Sequence, residues 1–210
     1  MDNSRRAAGL GLLTYGLATT VAFIATAAPG GEYSDRLVRG YIGSSHWMAA
    51  FIFCYLGAFG AVGLLFFRRW HGSVGSVGDV FRSLLIAGAA TSVVGWFVDA
   101  GVAVSMAEGG RAVQSGVPHT VVYTLTETGN LLAICAPAFF VGLAALLIGM
   151  RTAQPRFLRV FCIVAGVCGI LAPLYFSYFA FVLWTLVFSG WMIAGARRGT
   201  RVELPQASLV

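Results

Sequence analysis

SLLIAGAATSVVGWFVDAGVAVSMA, residues 83–107, holds one charged side chain, Asp99, in 25 positions. As a helix rising about 1.5 Å per residue, it is long enough to cross the roughly 30 Å of hydrocarbon in a bilayer. A carboxylate in the middle of such a run needs a reason. The same reading extends outward. Residues 119–150 form another long apolar segment with one carboxylate, Glu127, and residues 8–28 and 46–67 form two more with no Asp, Glu or Arg. Beyond Arg151, Arg156 and Arg159 the chain stays apolar to Ala196, too far for one helix. That predicts two spans, 159–173 and 176–196, breaking near Pro173. The expected architecture is an all-α integral membrane protein, a compact bundle of about six transmembrane helices in a single domain over residues 1–210.

Composition agrees. The chain is 58% hydrophobic and 10% charged, with a mean hydropathy of +0.82, whereas about a quarter of a soluble domain's residues are charged. Its main partner is therefore the lipid bilayer. The net charge of +6 comes from short Arg clusters beside apolar runs, not from a basic stripe with interleaved aromatics, so no nucleic acid partner is expected. All 14 basic residues are Arg; without Lys there is no Schiff base and no Walker-type phosphate site. Cys54, Cys135, Cys162 and Cys168 lie in apolar segments without metal or redox spacing and read as packing residues. No GxSxG, HExxH, P-loop or dinucleotide fingerprint occurs, and no histidine pair suggests haem, so no cofactor and no metal are expected. The start of the chain, with Arg5, Arg6 and Ala25-Thr26-Ala27, imitates a secretory signal, but its apolar run is long enough to span and is read as a retained first helix.

Cytoplasmic loops carry an excess of Lys and Arg. With the N-terminus inside, Arg5, Arg6, Arg68, Arg69, Arg82, Arg151, Arg156, Arg159, Arg197, Arg198 and Arg201 fall on one side, 11 of the 14, against Arg36, Arg39 and Arg111 on the other. This predicts both ends in the cytoplasm, in a bacterial inner membrane. Small residues recur at helical spacing, as in Gly57, Gly60 and Gly63, or Gly88, Ser92 and Gly95, or Ala165, Gly169 and Pro173, and predict close helix packing. The segment Phe139 to Arg159, with Val141-Gly142-Leu143, Arg151 and Pro155-Arg156-Phe157-Leu158, resembles multipass bacterial membrane proteins of no assigned activity, built with a hydrophobic hairpin around a short Pro-Arg loop. The resemblance implies six spans and no particular reaction.

An ionisable group at mid-bilayer costs about 2.5–3.5 kcal/mol on insertion scales, which singles out Asp99 and Glu127 as candidate catalytic residues. Counted from Glu108 and His119, both lie roughly 12 Å below the outer helix ends. Counted from Arg82 and Arg151 their depths differ by about 10 Å, unless the fourth span kinks at Pro137 or protrudes. Ser92, Gly95, Trp96 and Asp99 share one helical face; Tyr123, Thr126, Glu127 and Asn130 repeat the spacing. Trp96, Tyr123, Thr126 and Asn130, with His46 at the outer start of its span, are the candidate substrate-binding residues. A polar cavity in the outer half is expected, where two carboxylates in hydrogen-bonding range would share a proton as an acid and a base. The plainer alternative is that these groups only bond neighbouring helices, that His46 and His119 are solvated ends, and that Trp47, Trp96, Trp184, Trp191, Tyr41, Tyr123, Tyr175 and Tyr178 anchor and pack.

Three functions compete. The first is a membrane-embedded enzyme using Asp99 and Glu127 on a hydrophobic small molecule, a lipid or isoprenoid, in an aromatic-lined pocket. The second is a small proton- or cation-coupled transporter, favouring a homo-oligomer. The third is an accessory or assembly subunit of a larger membrane complex, which would explain the glycine faces.

Overall fold

A computed structural model describes residues 2–26, 32–152, 154–174 and 176–199. They form eight α-helices and, among the described residues, no strand: α1 (Asp2–Thr26), α2 (Asp35–Ile42), α3 (Trp47–Phe67), α4 (Gly78–Gly116), α5 (His119–Asn130), α6 (Ala136–Arg151), α7 (Arg156–Ile170) and α8 (Phe176–Gly199). A 3-10 stretch, Arg68–Val77, joins α3 to α4, a π-helical stretch, Leu131–Cys135, joins α5 to α6, and a 3-10 turn, Ala172–Leu174, follows α7. The turn expected at Pro29-Gly30-Gly31 and the tail with Arg201 lie outside the described residues.

Five segments are long and apolar enough to cross a membrane: Asn3–Thr26, Trp47–Trp70, Gly72–Gly116, His119–Arg151 and Ser177–Gly195. The span expected over 159–173 is the helix α7, whose 15 residues fall short of that length. Pro155 starts it, and the chain leaves the α-helix at Leu171 through the turn holding Pro173, where the sequence predicted the break.

The helices close a ring in chain order. α1 packs on α3, α3 on α4, α4 on α5 and α6, α6 on α7, α7 on α8, and α8 returns to α1. Arg5 lies 4.2 Å from the Trp191 ring, and Phe67, Phe81, Trp70 and Phe188 stack together, so the start of α1, the end of α3, the start of α4 and the late part of α8 share one end. Large apolar side chains face outward, with Phe59 and Phe157 each 71% exposed, the arrangement lipid favours and water does not.

In lipid, apolar burial between helices gains little, so close packing must hold the ring. The glycine stripes provide it within this chain. A Cβ on Gly63 would overlap the Gly11 carbonyl of α1, one on Gly60 would come 2.6 Å from the Ala18 Cβ, and one on Gly142 would come 2.8 Å from the Gly166 carbonyl of α7. The hydroxyls of Thr19, Thr20, Thr91, Thr124 and Thr128 donate to carbonyls four residues back, so they need no outside partner.

At the end opposite Arg5, α2 lies against α5. Its Val38 and Ile42 are buried with Trp47, Val102, Met106 and Val122. Trp47 Nε1 donates to the Ile42 carbonyl at 3.1 Å and pins the turn between α2 and α3. The ion pairs given by the described residues, Asp35 with Arg39 and with His119 and Asp79 with Arg82, all lie at helix ends or outside the spans' middle thirds.

Candidate functional site: a buried carboxylate between two close-packed helices

The site begins with a proline. Pro137 has no N–H, so the carbonyl of Ala133, four residues back, loses its α-helical donor and must also clear the ring. The chain widens there into the π turn Leu131–Cys135, and Ser92 of α4 donates its hydroxyl to the Ala133 carbonyl at 3.0 Å. This is how transmembrane helices commonly absorb a proline. One turn further along α4, a Cβ on Gly95 would overlap the Ala133 backbone nitrogen, so the two backbones touch. A turn beyond, the Asp99 carboxylate rests directly on Gly129, where a Cβ would overlap Oδ1. Trp96 turns to α3, its indole seated over Gly57.

The polar stripe of α4 therefore packs closely on Gly129 of α5 and on Ala133 of the π turn. Asp99 is 8% exposed and Trp96 is fully buried. Thr126 is buried and donates to its own helix, to the Val122 and Tyr123 carbonyls, which leaves it no free proton for a ligand. Asn130 is 1% exposed at the start of the π turn. Among the described residues, Asp99 Oδ1, Trp96 Nε1 and both polar side-chain atoms of Asn130 are buried with no hydrogen-bond partner. Native interiors rarely leave such groups unmatched, and each calls for an explanation. Glu127 is half-buried, and its charge lies within electrostatic reach of Asp99.

The other candidates stand apart. Tyr123, half-buried, meets the Tyr33 ring edge-on at 5.1 Å. His46 precedes α3, stacks on Trp47 with ring centroids 4.7 Å apart, faces Tyr41 and contacts the Ser44 hydroxyl. Tyr41, on α2, sits within electrostatic reach of Asp99; burial first and that charge second push its phenol above the ordinary tyrosine value.

Two of the cavities formed by the described residues lie elsewhere. One, of about 330 Å³, is an apolar groove between α1 and α3, lined by residues such as Leu10, Gly11, Phe59 and Phe66. The other, of about 500 Å³, opens at the α2 end between Arg39, Arg111 and His119. Neither is lined by Asp99 or Glu127. The described residues contain no group of three or more His, Cys, Asp or Glu able to hold a metal ion.

Sequence reasoning missed Gly129, although Gly129 lies three residues after Thr126 on the same face and could have been read as the seat for an opposing side chain. It also passed over α2, whose Val38 and Ile42 at i and i+4, with Asp35 and Arg39 at the same spacing, mark a short amphipathic helix. Compared with protein families, curated proteins and solved structures, the chain matches none.

Proposed function

We propose that the chain is a six-span protein of a bacterial inner membrane, with both ends in the cytoplasm, that carries protons across the bilayer through Asp99. The observation that supports this reading is the setting of Asp99. It is buried, enters none of the ion pairs formed by the described residues, leaves Oδ1 without a donor, and faces the charge of a second carboxylate. A carboxylate so placed is neutralised by a proton or by a bound cation. We take the proton as the neutralising species, since a lone buried carboxylate is the usual element of a proton relay within a membrane. The unpartnered Asn130 amide, next in sequence to Gly129, adds a buried hydrogen-bond donor and acceptor to the same region.

The sixth span is α7 with its following turn. Residues 156–174, as 15 α-helical residues followed by four nearer 3-10 geometry, extend about 30 Å, enough for the hydrocarbon. The excess of arginines near Arg5 supports the orientation.

Acid–base chemistry on a lipid needs an apolar cavity beside the pair, and the apolar groove between α1 and α3 is not lined by Asp99 or Glu127. An accessory subunit would keep its small-residue faces for a partner, whereas these faces are occupied by the chain's own helices. The accessory reading is weaker on that ground. The test is flux in proteoliposomes. Liposomes holding the full chain should dissipate an imposed pH gradient faster than empty ones, and Asp99→Asn, equal in size, should return the rate to that of empty liposomes while folding normally. A wild-type rate equal to empty liposomes, or an unchanged rate in the variant, would overturn it.

A further inference from the structure

The cavity at the α2 end has a different chemistry from the rest of the bundle. Of the three arginines distant from the Arg5 end, Arg36, Arg39 and Arg111, two line it, together with His119, Gln114 and Ser115. They come from two separate parts of the chain, and the fold assembles them deliberately. Gly110, at φ +52°, takes a left-handed conformation that other residues rarely adopt and redirects the last turns of α4. Gln114 then fixes the redirected segment by donating Nε2 to the Met106 carbonyl at 3.1 Å, which brings Arg111 to the face of α2 that carries Arg39.

Asp35 organises the opposite wall. Its carboxylate takes Arg39 at 2.5 Å, the Tyr33 hydroxyl at 2.8 Å and His119 Nδ1 at 3.5 Å. Asp35 is not part of the cavity lining, so it orients Arg39 and His119 from behind and neutralises only one of the two guanidinium charges. Arg111 enters none of the ion pairs formed by the described residues. The cavity is therefore left with net positive charge, the Arg111 fork, the N–H groups of Arg39 that Asp35 does not take, and an imidazole around a space of about 500 Å³. Guanidinium forks match tetrahedral oxyanions, binding two oxygens at once with charge-assisted hydrogen bonds.

We infer that this cavity binds a phosphate group, held between Arg39 and Arg111 at the α2 end of the bundle. The phosphate chemistry has two sources, a soluble phosphate and the headgroup of an anionic phospholipid, since the cavity opens beside His119, the first residue of the apolar segment His119–Arg151. The inference does not depend on Asp99, and Asp99→Asn should leave it unchanged.

The experiment uses the full chain with two probes. In neutral detergent, inorganic phosphate is titrated by calorimetry; in nanodiscs of phosphatidylcholine with graded phosphatidylglycerol, native mass spectrometry counts retained lipid. Wild type is compared with Arg39→Gln/Arg111→Gln and with Arg111→Lys, and thermal unfolding of each confirms folding. Saturable phosphate binding, weakened roughly tenfold or more by the double substitution, supports a soluble ligand. Selective retention of phosphatidylglycerol without phosphate binding, lost in the same variant, supports the headgroup. In either case Arg111→Lys should keep part of the affinity, because it keeps the charge and loses only the fork. If neither probe binds wild type more tightly than the double variant, the inference is overturned.

Discussion

Replacing Gly129 by Ala tests the packing of Asp99 most sharply. A Cβ there meets three atoms of one side chain, overlapping Oδ1 and Cγ and lying 2.8 Å from Oδ2 of Asp99. The whole carboxylate must therefore move, and it cannot withdraw far, because Gly95 and Ala133 already hold α4 and the π turn at backbone contact. Overpacking of this kind costs about 1–3 kcal/mol, a roughly five- to 150-fold shift in the unfolding equilibrium. The assay is unfolding of the purified chain in mixed micelles against a denaturing detergent, with helical circular dichroism as readout. Gly101→Ala and Gly190→Ala serve as controls, since a Cβ at either meets nothing within 4 Å; they should be neutral or add up to about 1 kcal/mol of stability. The decisive comparison is the cycle with Asp99→Ala. Removing the carboxylate vacates the space the new methyl needs, so the double variant should be more stable than the sum of its parts by about 1 kcal/mol or more. A Gly129→Ala protein as stable as wild type, or a strictly additive cycle, would refute the contact.

Ser92→Ala should cost about 0.6–1.7 kcal/mol in the same assay, the range for interhelical hydrogen bonds in membranes, because the carbonyl released by Pro137 then loses its outside donor. Gly57→Ala should cost about 1–3 kcal/mol by displacing the Trp96 indole, and an unchanged stability would remove α3 from the site's wall. At the α2 end, the Tyr33 hydroxyl and then the Arg39 guanidinium hold the Asp35 carboxyl below the usual carboxylate range. A depressed folded-state value favours folding fully above the unfolded value of about 3.9 and loses that contribution as pH falls through the folded one. Hydrogen exchange in α2 should accelerate as pH drops below about 3.9 relative to the intrinsic rate, and Asp35→Asn should lack this dependence.

Much of the fold was legible because lipid imposes simple demands. Length, apolarity and arginine placement decide where helices lie, and the two carboxylates stood out because each is alone in a long apolar run. The stripes of Ser92, Gly95, Trp96 and Asp99 were readable from the 3.6-residue period. Their contacts were not. Ser92 and Gly95 meet Ala133 inside the π turn beside Pro137, a widening that the 3.6-residue period does not record, and Asp99 meets Gly129, which belongs to neither stripe. The close contact of α4 with α5 and the π turn was hidden too, because it rests on Gly129 and Gly95, which remove the side chains that would have kept the helices apart. The helix α2 was hidden by its eight-residue length, and the Arg39–Arg111 cavity by the left-handed turn at Gly110, a conformation that a glycine permits without announcing.

Infrared difference spectroscopy of the full chain in lipid, wild type against Asp99→Asn, tests the central claim most directly, because it reports on the protonation of a single carboxyl group. A buried site that takes up and releases a proton predicts a carboxyl C=O band in the wild type that changes on buffer exchange and is missing from the variant. Identical difference spectra for the two proteins, with no exchange-sensitive carboxyl band, would contradict the assignment of proton transfer to Asp99.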